Sequence, residues 1–95
     1  MEKRDLNLVL TKIMEECGEV IQICSKCIFY GLDNTSPKDG NIKTNRDKLI
    51  EEIGDVFANI QVLVEDTDSG IISDDFVERA AFKYSKLEHY LPKAK

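Results

Sequence analysis

Histidine occurs once in this chain of 95 residues, as His89. That scarcity leaves no Ser/His or Cys/His set for nucleophilic catalysis. It also argues against a di-iron bundle, because no histidine follows Glu16 or Glu52 at the Glu-x-x-His spacing. Positive charge is short as well. Thirteen Lys and Arg against eighteen Asp and Glu leave a net charge of −5 and a pI near 4.8, so no general basic surface invites DNA, RNA or anionic lipid. No apolar run approaches the ~20 residues that span a bilayer, and the charged start, Met1 to Asp5, is followed by no signal-type core. The expectation is a cytoplasmic protein that engages neither membrane nor nucleic-acid polymer. The three cysteines are an odd number confined to one predicted helix, which is no disulfide framework. Cys24 and Cys27 form a C-x-x-C without surrounding strands or further ligands, and all three are expected as small buried hydrophobes. Period-two alternation is missing too, so the fold class is all-α.

What is present is an internal repeat. Lys12-Ile13-Met14-Glu15-Glu16-Cys17-Gly18-Glu19-Val20 returns 36 residues later as Lys48-Leu49-Ile50-Glu51-Glu52-Ile53-Gly54-Asp55-Val56. Two copies of one helical element are implied. Glu16 and Glu19 are three residues apart, about 300° of rotation, and so neighbours on one face, and Glu52 and Asp55 are likewise. Around them Ile13, Cys17, Val20, Ile21 and Cys24, and Leu49, Ile53, Val56, Phe57 and Ile60, keep helical spacing. Both acid pairs lie on the same edge of these stripes, so packing the stripes together brings four carboxylates to one rim. The repeated Gly18 and Gly54 suggest a close backbone approach there.

Taken in order, Asp5 caps a helix that keeps its period from Leu6 to Ile28 and stops at Gly31. Residues 31 to 44 carry turn chemistry and are expected to form a mobile loop with at most a short helical piece. Thr44 and Asp47 resemble a capping box for a second helix with its period from Leu49 to Val64. Ser73, Asp74 and Asp75 are cap candidates for a third helix carrying Phe76, Val77, Ala80, Tyr84, Leu87 and Leu91, with Phe82 off its stripe and Pro92 past its end. Ninety-five residues give room for a single domain, 1–95, with a modest core. A helical hairpin plus one C-terminal helix leaves apolar surface uncovered, so a homodimer or homotetramer with a four-helix-bundle core is expected.

At ~6 Å and an effective dielectric of ~20, each acid pair repels by roughly 2 to 3 kcal/mol, which calls for a cation to offset it. Hard oxygen ligands favour Mg²⁺ or Mn²⁺.

The pattern Glu15-Glu16-x-x-Glu19 followed by Glu52-x-x-Asp55 resembles the signature of the MazG-like, all-α nucleoside triphosphate pyrophosphohydrolase superfamily. The phosphoribosyl-ATP pyrophosphohydrolases share the same acidic scaffold. Lys48, four residues before Glu52, matches a lysine that MazG proteins carry, and is a catalytic candidate with Glu15. The resemblance implies Mg²⁺-dependent cleavage of a nucleoside triphosphate to the monophosphate and pyrophosphate, with Glu16, Glu19, Glu52 and Asp55 as metal ligands. It departs on the last helix, where MazG proteins have lysine followed four residues later by arginine. Here Lys83 is followed by Leu87, with Lys86 the nearest substitute. Lys83, Lys86 and Asn59, one turn after Asp55, are candidate substrate contacts. The alternative from another class is a non-catalytic helical module whose acidic rim docks a basic partner.

Overall fold

Asp5 starts the first helix by accepting a hydrogen bond from the Leu8 N–H at 3.0 Å, which satisfies one of the donors a helix start leaves open. This helix, α1, runs Leu6–Tyr30 and ends at Gly31, whose φ of +88° suits glycine and whose N–H donates to the Cys27 carbonyl. Residues 2–94 are described in a computed structural model, in which α2 spans Asn45–Glu65 and α3 Ser73–Tyr90. Among the described residues there is no strand, and the class is all-α as the periodicity predicts. None of these helices is long and apolar enough to cross a membrane.

The start of α2 is the expected capping box. Thr44 Oγ1 accepts from the Asp47 N–H and the Asp47 carboxylate accepts from the Thr44 N–H, both at 3.1 Å. At α3 the expectation needs correcting. Ile72 holds the N-cap position without a side-chain bond, and Ser73, Asp74 and Asp75 are the first helical residues rather than caps. Gly70, at φ +73°, turns the chain so that Ile72 is already extended and the helix begins one residue sooner. Asp74 and Asp75 still favour that end, through the helix dipole.

Residues 31 to 44 are not a loose loop. A 3₁₀ turn over Pro37–Asp39 sits inside a neck closed by a bridge between Thr35 and Thr44. The Asn45 N–H donates to the Asn34 carbonyl at 2.8 Å, and the Arg46 N–H to that of Leu32 at 2.7 Å. Asn45 is buried, and its Nδ2 donates to the Gly31 carbonyl at 2.9 Å. Asp33 and Arg46 pair at 3.1 Å, and the guanidinium holds the Asp33 carboxyl below its usual range. Turn-rich composition shows that the chain reverses, but not that its polar groups find partners at the base.

α1 and α2 pack antiparallel, their outer ends joined by the Arg4 N–H donating to the Asp66 carbonyl at 2.6 Å, while α3 stands off the pair. Val9 and Ile23 are the buried apolar residues of this interface, and Ile13, Val20 and Cys27 are half-buried beside them. The single stripe read from the sequence is therefore two faces. Cys17, Ile21 and Cys24 on α1, and Ile53 and Phe57 on α2, are exposed. This corrects the expectation of three buried thiols, because one neighbouring helix covers only part of a wide apolar arc. Cys27 alone is partly covered, 3.9 Å from the Asn45 carbonyl. The repeated glycines mark no close approach within the chain either, since a Cβ at Gly18 or Gly54 would meet nothing within 4 Å.

Phe82, off the α3 stripe, lies under two cations, with Arg79 5.1 Å and Lys86 4.9 Å from its ring centroid. The molecule measures 42 × 38 × 16 Å, and its radius of gyration of 16.5 Å exceeds the ~12 Å of a compact chain this long. It is one helix layer thick, where domains are usually built from two.

Candidate functional site

The antiparallel hairpin sets the two halves of the repeat face to face. Glu16 on α1 and Glu52 on α2, equivalent in the repeat, both come from turns at the shared interface and are half-buried. Glu16, Glu52 and the exposed Asp55 offer carboxylate oxygens that all lie within 4.8 Å of one another. Two shielded acids and one at the mouth thus converge from both helices. The Glu52 carboxyl titrates above its ordinary range, first because burial disfavours its charge, then because Asp55, Glu19, Glu16 and Glu51 repel it.

Glu19 stands outside this group of three. It is exposed and lines a small adjoining recess of about 80 Å³ with Lys26, Lys48 and Glu52. It remains close enough to raise Glu52, so it borders the acids without joining their closest group. Equal spacing in the two copies fixes the turn from which an acid projects but not the rotamer that a three-torsion glutamate adopts. Lys48 thus stands beside Glu19 and Glu52, half-buried in the same recess.

On the other side of the acids opens a cleft of about 1050 Å³, lined among others by Arg4, Lys12, Glu15, Asn59, Val62 and Asp66. Glu15 and Asn59, both singled out from the sequence, meet here. The Asn59 Nδ2 donates to the Asp55 carbonyl at 2.8 Å, which ties it to the acidic turn. Lys12 is the residue that sequence reasoning passed over. Its Nζ is 3.2 Å from Glu15 Oε2 and 3.7 Å from Glu16 Oε1, and these partners raise its pKa, the Glu15 hydrogen bond most of all. The i, i+3 and i, i+4 spacing of Lys12 to the two glutamates is the signal that marks it. Lys83 and Lys86, on α3, line neither the cleft nor the recess, and Lys86 lies over the Phe82 ring.

The donor set suits a hard divalent cation. Three carboxylates from two helices, one of them raised by burial and then by its acidic neighbours, supply anionic oxygen and electrostatic strain that such an ion relieves. A family model described as the MazG nucleotide pyrophosphohydrolase domain matches residues 4–90. No curated protein matches the chain. No solved structure matches it either.

Proposed function

Because the chain belongs to the MazG nucleotide pyrophosphohydrolase family, we propose that it is a cytoplasmic, Mg²⁺-dependent hydrolase that cleaves a nucleoside or deoxynucleoside triphosphate to the monophosphate and pyrophosphate. One observation carries the reading: Glu16, Glu52 and Asp55 converge from the two repeats, and Lys12 and Asn59, which bond to Glu16 and to the Asp55 carbonyl, line an open cleft large enough for a nucleotide. Glu16, Glu52 and Asp55 hold Mg²⁺, or Mn²⁺ in its place, and Glu19 completes the set from the adjoining recess. Bound there, the cation supplies charge neutralisation for the phosphate chain and for the departing pyrophosphate.

The chain's own residues do the rest. Lys12 pins Glu15 and Glu16 in their present arrangement. Glu15, exposed at the cleft, orients a water and takes its proton as the water oxygen bonds to the α-phosphorus and the bond to the β-phosphate bridge breaks. Lys48 faces the phosphates from the recess, and Asn59 contacts substrate across the cleft. The working unit is a homodimer or homotetramer.

The test is a panel of nucleoside and deoxynucleoside triphosphates with Mg²⁺, scored separately for pyrophosphate and phosphate. Pyrophosphate from at least one of them, abolished by chelation, is expected. Inactivity on all of them overturns the proposal and favours an acidic rim that docks a basic partner.

A further inference from the structure

One edge of α1 runs the length of the site. Leu8, Lys12, Glu15, Glu19, Gln22 and Lys26 recur at spacings of four and three, so they share one face of the helix. The first three line the cleft and the last three the recess. Beside it the antiparallel α2 gives Asn59 and Val62 to the cleft and Lys48 to the recess. Glu16 and Asp55 fall between the two along their helices, so the acids sit midway on a track with unlike ends.

The ends differ in size. The cleft, at about 1050 Å³, has the room of a small-molecule site, whereas a recess of about 80 Å³ takes a phosphate group but no nucleoside. They differ in chemistry too. Leu8 and Val62 give the cleft apolar surface, Thr11 and Asn59 give it neutral hydrogen-bonding groups, and its Lys3, Arg4 and Lys12 are outnumbered by Glu2, Asp5, Glu15 and Asp66. The charged groups of the recess are Lys26 and Lys48 against Glu19 and Glu52. With those two acids turned to a cation, the lysines remain for an anion.

In-line displacement selects the same direction. Attack at the α-phosphorus needs the water and the departing oxygen on opposite sides of it. Glu15, which takes the water's proton, lines the cleft, so the pyrophosphate departs towards the recess. There the bond from the α-phosphorus to the bridging oxygen breaks with its electron pair passing to that oxygen, and the charge gained lies before Lys26 and Lys48. Lys26 is seven residues past Glu19, about 10 Å along the axis, but a helical side chain leans towards its own N-terminus, back over Gln22 and Glu19.

We propose that Lys26, together with Lys48, binds the β- and γ-phosphates of the substrate and the pyrophosphate that leaves, while the nucleoside lies over Leu8 and Val62 in the cleft. This rests on the reading of the carboxylates as a Mg²⁺ and triphosphate site. It deepens that reading by fixing which way the nucleotide lies and by giving a task to Lys26, an exposed lysine to which the sequence pattern assigns none.

The experiment measures binding of the two products separately by calorimetry, with inorganic pyrophosphate in Mg²⁺ as one probe and the panel's nucleoside monophosphates as the other. Lys26→Met is expected to weaken pyrophosphate by about tenfold or more, the worth of a charge-assisted hydrogen bond, and to leave the monophosphate within about twofold. Lys26→Arg, which keeps the charge, should restore pyrophosphate to within about threefold of the native chain. Leu8→Ala, at a position 71% exposed and so harmless to folding, should do the reverse, weakening the monophosphate by about threefold or more and sparing pyrophosphate. Native pyrophosphate affinity in Lys26→Met overturns the proposal, as does an equal loss of both products. Loss of the monophosphate alone in Lys26→Met shows the nucleotide lying the other way and overturns it as well. Because no turnover enters these measurements, the two readings fail separately. A chain that cleaves a triphosphate while its Lys26→Met variant binds pyrophosphate normally keeps the activity and loses this assignment, and a native chain that binds neither product loses both.

Discussion

Glu16 and Glu52 stand 36 residues apart in sequence and at the same place in the repeat, yet they offer carboxylate oxygens within 4.8 Å of each other across the α1–α2 interface. The repeat thus places like charge on like charge, half-buried, with Lys12 3.7 Å from Glu16 on one side and Lys48 lining the recess of Glu52 on the other. Such an arrangement works against folding in the absence of a counter-ion, and that tension is the handle for testing it.

Glu52→Gln is expected to keep the helical fold while lowering Mg²⁺ affinity and turnover by at least about 10- to 100-fold, a range that even outer-shell partners of a metal reach. Without metal the variant should be the more stable protein, since it removes a charge that burial, and then the neighbouring acids, already push towards protonation. Relief of about 1 kcal/mol raises the Tm by ~4–8 °C in a chain of this size. Calorimetric titration with Mg²⁺ and a thermal melt in chelator check both parts. Native turnover in the variant at saturating Mg²⁺ would remove Glu52 from the ligand set.

Lys12→Met should leave folding intact and disturb the acids. With Lys12 gone, Glu15 and Glu16 lose their close cation. Stability of the metal-free protein is expected to fall slightly, because both are surface pairs of small worth, while the gain in Tm on adding Mg²⁺ grows. Melts with and without Mg²⁺ measure the difference, and an unchanged Mg²⁺ gain would mean that Lys12 does not compete for this site.

Asn45→Ala should cost about 0.5 to 1.5 kcal/mol, because it removes the buried amide whose part-buried hydrogen bond holds the Gly31 carbonyl. Denaturant unfolding gives the number, and amide exchange in residues 31 to 44 should rise with it. A loss below ~0.5 kcal/mol would mean that the neck is held by its backbone bonds alone.

The Asp33–Arg46 pair gives a pH dependence with a definite sign. The folded-state pKa of Asp33 is depressed, so its contribution is present above the unfolded value and is lost as pH falls through the folded one. The Tm gap between the native chain and Asp33→Asn should therefore be small and constant near neutrality, and close on acidification below the ordinary aspartate range. A gap that widens in acid would contradict the pairing.

Much of this architecture is legible in the chain because its signals are local. Asp5, Gly31 and the Thr44/Asp47 box mark helix ends through backbone groups within four residues, and each acts as its type predicts. The acidic rim is legible through the repeat, which turns two weak signals into one. What the sequence hides depends on how many neighbours a helix has. A broad arc such as Ile13-Cys17-Val20-Ile21-Cys24 reads alike whether it meets one helix or two, so the exposure of Cys17, Ile21 and Cys24 emerges only from packing. The stand-off of α3 is hidden for the same reason, since its apolar stripe is no sign of which chain it packs against. Glu19 and Asp55 differ in placement although their spacing is the same, because side-chain torsions are not set by periodicity.

The central claim is hydrolysis at the α-phosphorus, and isotope placement tests it most directly. A triphosphate that the chain turns over with Mg²⁺ is hydrolysed in ¹⁸O-water and the products are separated for mass spectrometry. The label is expected in the nucleoside monophosphate, with unlabelled pyrophosphate as co-product. Label in free orthophosphate, or nucleoside diphosphate as the first product, would place the attack at the γ-phosphorus and contradict the mechanism.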